Sequence, residues 1–399
     1  MSCSVKDLAC FAPNVSFRLK MSYLRSACVF LLFNCLSLSG KGQEPTYFFP
    51  AHIYDEFEGS GTIQVSDIVS SDNHKIWMIT NKGLLIFDGY DWKSLDDTVR
   101  VPISTNSKIK ALDNGTVFLA GHDQRDMLIS KYENGRFIKY PVPEEYDATD
   151  VKYPLDHISF DVSVQIEDTS LALLLNHELF IFHTSNRLWN QIELSGFEDL
   201  KSIQHIKFFD NNLYVHSLSH IYELESEKLV RVPGQSEKGL DFILNFSFLR
   251  DSIFFFTSDF LGCLHEKIDT LTNLSLTTEL LPGKPEIILD GNKNIFLSYK
   301  SPVFKYSLKS KMGHSILVDH QYNMSISNCL VLDDENILWV GTDRGLLMFE
   351  NFMFCYLNKN SGLLENEVAA VHESEKFGLV LGSNIGFSII KNGKMITHK

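Results

Sequence analysis

The feature that most constrains this 399-residue chain is that it repeats itself. The segment IWMITNKGLLIFDG, from Ile76 to Gly89, matches LWVGTDRGLLMFEN, from Leu338 to Asn351. Both run through an apolar strand with a Trp, then Thr, a polar pair, Gly, Leu-Leu, and a second apolar strand ending in Phe. A third copy, VLGSNIGFSII from Val380 to Ile390, keeps the small-polar-x-Gly turn. Two strands joined by a tight loop need positive φ at one or two positions, which Gly and Asn tolerate. Asn81-Lys82-Gly83, Asp343-Arg344-Gly345 and Asn384-Ile385-Gly386 fill that role. About ten residues earlier each copy has another turn, at Asp72-Asn73-His74, Asp333 to Asn336, and Glu373 to Glu375.

The same template finds weaker copies. TVFLAG turns into RFIKY, LALLLN into ELFIFH, LYVHS into HIYEL, SIFFFTS into FLGCLH, and NIFLSY into VFKYSL. The eight units begin near residues 65, 105, 158, 202, 244, 285, 326 and 368, mostly 40 to 43 residues apart. That is the period of one four-stranded propeller blade. Runs such as LALLLN are apolar without alternation, as expected of a strand covered on both faces by neighbouring blades. No segment keeps a 3.6-residue period. The expected fold is all-β, a β-propeller of seven or eight four-stranded blades. The eight units fit one eight-bladed ring, or seven blades plus the first blade of something that continues. Thr46 to Tyr54 reads as an extra strand able to complete the last blade and close the ring without leaving a sheet edge.

Hydrophobic residues make up 44% of the chain, enough to fill such a core, and the net charge is -14. An acidic chain is poorly suited to a phosphate backbone, which argues against nucleic-acid binding. Arg18, Lys20 and Arg25 precede an apolar run from Ala27 to Leu38, and small residues lead to Gln43. This reads as a secretory signal peptide, too short for a membrane span, with Met21 a better start than Met1. Residues 1–42 are thus expected to be an upstream extension and leader, and 43–399 the propeller. Four of the seven cysteines fall in the leader part, and Cys263, Cys329 and Cys355 form no disulfide framework and no metal pair. They read as small buried apolar residues.

The repeat resembles the two-component regulator propeller repeat of Bacteroidetes sensor proteins. ILWVGTDRGLLMF (337–349), followed by CYLNKNSGLLENEVAAV (355–371), carries the resemblance best, with IWMITNKGLLIFDGYDWKSL (76–95) next. The middle copies lack the Trp and mostly lack Gly-Leu. The resemblance implies a propeller outside the inner membrane that senses a ligand, in several cases a breakdown product of complex carbohydrate. It also implies a β-sandwich, a membrane helix and a kinase or DNA-binding output downstream. This sequence ends at Lys399 with none of these, so it is either a free-standing sensor-like propeller or a truncated receptor.

Enzyme signatures are missing. There is no GxxxxGK[ST], no HExxH and no GxSxG. His265-Glu266 and His372-Glu373 lack a second His at helical spacing and read as surface residues. Ser70 to Trp77 is a near-match to the sialidase-type Asp box, and Asp333 to Trp339 a weaker echo. The Asp of such a box bonds its own turn while the Trp packs between blades. The insertion at 141–157 carries Glu144, Glu145, Asp147, Asp150 and Asp156, and reads as a solvated connector or as a binding lip. No catalytic, metal or cofactor residue can be named, and no ligand-contacting residue. The reading is a non-enzymatic periplasmic or secreted sensor, binding a small molecule, possibly an oligosaccharide, or a protein partner, with a homodimer open. The alternatives are a propeller glycoside hydrolase or lyase, and a cell-surface interaction scaffold.

Overall fold

A computed structural model describes residues 47–399, apart from 57–61, 72–73, 96–106, 113, 123–126, 144–157, 166–167, 176, 184–186, 194–202, 218, 227, 236–242, 275–284, 299–302, 319–325, 351, 353 and 393. The predicted leader and the acidic part of the 141–157 insertion lie outside the described residues. So do Asp72 and Asn73 of the first Asp-box candidate.

All eight repeat units form four-stranded antiparallel sheets. Among the described residues the only helical element is the single 3-10 turn Lys359–Ser361. The chain divides into two compact units, Phe48–Tyr356 and a second that includes Leu357–Lys399.

The larger unit is a closed ring of seven blades. Their innermost strands are Val65–Ser71, Lys108–Ala111, Ile158–Gln165, His205–Phe209, Asn245–Leu249, Glu286–Leu289 and Ser327–Leu332, in blades 1 to 7. Each packs beside the next around the axis, and the seventh packs beside the first. Six blades take four consecutive strands. Blade 7 takes three and borrows its outermost from the start of the unit, where His52–Tyr54 pairs antiparallel with Gly345–Phe349. The predicted closing strand is therefore present, and it joins the two ends of the ring.

The ring is held by seven apolar clusters, one between each pair of adjacent blades. This explains the unbroken apolar runs. On Lys75–Thr80, Ile76 and Met78 pack toward blade 7, while Trp77 and Ile79 pack toward blade 2. On Asp168–Leu175, Leu171, Leu173 and Leu175 face blade 2 while Ala172 and Leu174 face blade 4. The two-residue alternation survives, but both faces are buried, so hydropathy does not show it.

The repeat motif is a turn held by its own side chains. Thr80 and Thr342 donate their hydroxyls to the carbonyls of Gly83 and Gly345 and accept from the amides of Lys82 and Arg344. Ser383 likewise donates its hydroxyl to the Gly386 carbonyl. Gly345 sits at φ 129°, and a Cβ there would lie 2.5 Å from the Tyr54 carbonyl oxygen on the closing strand. The Asp333 turn behaves as a structural box. Its carboxylate accepts the Glu335 and Ile337 amides and, at 2.9 Å, the Trp339 indole N–H. Cys329 is buried as expected and Cys263 half-buried, whereas Cys355 is exposed; all three are free thiols.

In the second unit, Ala370–Ser374, Gly378–Ser383, Gly386–Lys391 and Lys394–His398 form the eighth sheet. Its small core is Leu363, Leu381 and Met395. Its first strand is exposed at its first four residues, with Val371 at 65% exposure.

Blade 7 packs closely against blade 1 at Gly341. A Cβ there would stand 2.6 Å from Val65 Cγ1 and closer still to Cys329 Sγ. Overpacking of this kind costs about 1–3 kcal/mol. Gly341→Ala is expected to lower Tm by several degrees in thermal denaturation; an unchanged Tm would show that this joint is loosely packed.

Candidate ligand-binding channel

An innermost strand pairs on one side only. Its other backbone edge faces the ring axis, where N–H and C=O groups have no neighbouring ladder and need partners. In this ring, side chains supply them across the blade boundaries. Asp67 accepts the Ile109 amide at 3.0 Å from blade 2. Ser159 and Asp161 of blade 3 accept the Ile206 and Phe208 amides of blade 4, at 3.3 and 2.7 Å. Lys207 donates to the Phe246 carbonyl of blade 5 at 2.5 Å, and Asn245 donates to the Pro285 carbonyl beside blade 6 at 2.7 Å. Ser298 and Ser327 bond across blades 6 and 7, and Asn328 donates to the Val65 carbonyl of blade 1. Lys110 lies 3.5 Å from Asp161 across the remaining boundary, between blades 2 and 3.

These strands line an axial cavity of about 440 Å³, within the usual size range of small-molecule sites. The paired bonds from Ser159 to Ile206 and Asp161 to Phe208 show that neighbouring inner strands run in the same sense, so position along the strand gives depth. One end is polar, with Lys108, His205, Asn245 and Glu286 at the strand starts. The other is apolar, with Val69, Ala111, Phe209, Phe248 and Val331. Phe209 and Phe248 stack face to face there, 4.4 Å between centroids.

The charges are not equivalent. Asp67 is buried, with both oxygens taken by backbone amides and Lys108 at 3.9 Å. Asp161 is 13% exposed in its side chain, whereas its partner Lys110 is 37% exposed. The Asp161 carboxylate raises the Lys110 pKa against the effect of burial. Lys207 differs. Among the described residues no carboxylate oxygen lies within 4 Å of its amine, and desolvation pushes its pKa down to about 8 although Glu286 acts to raise it. Its amine also lies over the Phe246 ring, 5.6 Å from the centroid.

The sequence alone names none of the side chains that line this channel. The acidic insertion gives no test, because 144–157 lies outside the described residues. His265 bonds the Asp251 carbonyl in an exposed position, as its surface reading implied. Among the described residues no group of three or more His, Cys, Asp or Glu is placed to hold a metal ion, and no helix is long and apolar enough to cross a membrane.

The geometry defines a class: a seven-bladed β-propeller with a polar axial channel, accompanied by one further blade-like sheet. No family model and no curated protein sequence matches the chain. Solved structures match its fold. The extracellular domain described as that of hybrid two-component system BT3049 from B. thetaiotaomicron aligns at TM-score 0.59 and 17% identity, over 87% of this chain and 49% of that one. That of BT4673, from the same organism and described as a one-component system, aligns at TM-score 0.54 and 16% identity, over 90% and 48%. A catalytically inactive virginiamycin B lyase from Staphylococcus aureus, with quinupristin, aligns at TM-score 0.55 and 11% identity, over 75% and 98%. The chain thus spans about half the length of the two extracellular domains it matches. At these identities the likeness is one of fold.

The Lys207 shift has a stability consequence. A lysine whose folded pKa is depressed binds its proton more weakly than the unfolded chain does, so stability rises with pH between about 8 and the ordinary lysine value of 10.5. Below that window the folded state bears the full burden of the buried charge. Lys207→Met is expected to raise Tm by a few degrees at pH 7, with the gain shrinking toward pH 10. A lower Tm at pH 7 would mean that the bond to Phe246 outweighs the desolvation.

Proposed function

We propose that this chain is the non-enzymatic, ligand-sensing propeller of an exported signalling receptor. The observation that carries the reading is a polar-to-apolar channel on the axis of a ring whose fold matches extracellular domains described as parts of one- and two-component systems. A small carbohydrate-derived molecule would enter the channel mouth, where every blade contributes a strand, and could change the relation of neighbouring blades or of dimer partners. The leader-like segment before Gln43 supports a periplasmic or secreted location.

The eighth sheet fits a longer receptor. Its exposed first strand contrasts with the buried inner strands of the ring, and the matched domains are about twice as long as the chain aligned to them. In this reading it is a blade of a further ring rather than a rim ornament.

The lyase likeness keeps a catalytic reading in view, since the channel holds carboxylates and amines as well as amide and apolar groups. Against it, the Asp67 and Asp161 oxygens hold backbone amides of neighbouring strands. Calorimetry of the purified chain against a panel of oligosaccharides tests both readings. Micromolar binding, with the sugar recovered at unchanged mass, is the expected result. Cleaved or rearranged sugar would overturn the non-enzymatic reading, and failure to bind any glycan or partner extract would overturn sensing. For location, intact-mass analysis of the expressed protein should show a chain starting near Gln43.

A further inference from the structure

We propose that the axial channel is a site for a small organic oxyanion, seated on the amines of Lys207 and Lys110. The inference deepens the sensing reading and rests on it for its biological use, but its chemistry stands on the channel alone.

The argument begins with what edge-capping requires. A bare carbonyl at the axis needs one N–H donor, and Asn245 and Asn328 supply that from neutral amides. Lys207 does the same job for Phe246 but brings a full charge and two further donors. An isolated charge withdrawn from water is costly unless paired. Lys108 and Lys110 have carboxylates within 4 Å, and Lys207 has none among the described residues. The capping bond to Phe246 explains where the side chain sits, but not why it carries a full charge. An incoming oxyanion would supply the missing partner.

The carboxylates in the wall do not cancel this preference. Asp67 and Asp161 spend oxygens on the amides of Ile68, Ile109 and Phe208, and Glu286 receives the Asn245 amide at 3.4 Å. The Lys110 side chain is nearly three times as exposed as that of Asp161. At the level of Lys110 and Lys207 the amines are thus more open to a ligand than the Asp161 carboxylate between them, while Glu286 sits at the polar end of the channel. Lys110 and Lys207 also occupy the same level of the ring, since each directly follows the residue, Ile109 or Ile206, whose amide is capped from the preceding blade. Around them Ser159 and Ser247 line the same cavity and can serve hydroxyls, while the aromatic pair at the far end offers an apolar wall. The cavity is large enough for a sugar acid or sugar phosphate. Both share the oxyanion chemistry, and the test separates them.

Protonation sets the pH range. The groups acting on Lys207 are Glu286 from blade 6, Lys110 and Lys108 from blade 2, and Asp161 from blade 3; His205 lies two residues away on its own strand. Among the described residues blade 5 lines the cavity with Asn245, Ser247 and Phe248, all neutral. The amine is charged at pH 7 and loses its charge above about 8, so oxyanion affinity should fall as pH rises through that value.

The experiment is calorimetry of the purified chain at low salt with three probes: glucuronate, glucose 6-phosphate and neutral glucose. At least one of the two acids is expected to bind about tenfold or more tighter than glucose at pH 7 and to weaken at pH 9. Whichever acid leads identifies the source as carboxylate or phosphate ester. Lys207→Met should lose about tenfold or more of the acid affinity and leave glucose unchanged, while Lys207→Arg should keep most of it. Melting curves confirm that each variant is folded, and Lys110→Gln gives a second handle on the same site. Equal binding of acid and neutral sugar, or an acid affinity unmoved in both Lys207→Met and Lys110→Gln, overturns the oxyanion site while leaving sensing of a neutral ligand standing. If neither acid binds at millimolar concentration while a neutral oligosaccharide does, the same conclusion follows. If no acid and no neutral oligosaccharide binds, the oxyanion site and the sensing reading fail together.

Discussion

Everything in the ring depends on one backbone constraint: each blade has an inner edge that no strand can pair. A sheet edge in water is a liability, and one turned toward the narrow axis of a ring needs partners for its amides and carbonyls. The ring answers with side chains rather than with a ladder. Asp67, Ser159, Asp161, Lys207, Asn245 and Asn328 each reach the backbone of a neighbouring blade. Polar residues on the axis are therefore first of all structural, and a channel lined by them is a by-product of closing the circle. At the outer edge the answer is different. The segment before blade 1 returns to the end of blade 7, and the Phe48 and Phe49 amides bond to the Tyr356 and Leu317 carbonyls. The first and last parts of the ring are thereby held by backbone bonds, and opening it there requires breaking a sheet.

Between the axis and that outer seam the energy is apolar. Seven clusters of similar make-up separate the blades, and each middle strand gives alternate residues to the cluster on either side. The two tryptophans of the best-kept repeats sit at equivalent places but are tied differently. Trp339 donates to Asp333, while Trp77 donates to the Ser71 hydroxyl. Both bonds fasten a large ring across an otherwise apolar joint, satisfying the one polar atom that burial would leave bare. The Asp box is thus one solution to burying an indole, and Ser71 is another.

Much of this architecture can be read from the sequence because its local chemistry recurs. The Thr-x-x-Gly turn needs a hydroxyl facing a glycine carbonyl, and the spacing of Thr80 and Gly83, or Thr342 and Gly345, states it directly. The period and the closing strand follow from the same template. The blade count stays open at that level because a repeat tells which strands form a sheet, not which sheets share a core. That decision lies in the contact of Val65 and Met78 with Cys329 and Trp339, residues more than 240 positions apart. The channel was illegible for a related reason. Asp67, Lys110, Asp161, Lys207 and Glu286 come from five blades, and each looks like an ordinary polar residue in a half-buried strand. A signal did exist. Aligning first strands by repeat puts Ile109-Lys110 and Ile206-Lys207 in one phase, and two lysines in one phase of a ring must share one depth.

The overall charge of -14 appears at first to oppose an anionic ligand. At physiological ionic strength, however, exposed charges act over only about 8 Å, so the acidic exterior is screened from the axis. Inside, solvent screening is weaker and a few groups decide the local potential. There Asp67 and Asp161 accept backbone amides, whereas Lys207 has no carboxylate within 4 Å among the described residues. Edge-capping carboxylates are already engaged by backbone donors and gain little from an incoming cation. An amine that caps a carbonyl with one hydrogen keeps two to offer. The asymmetry between acceptor caps and donor caps is what turns a structural lining into a chemically selective one.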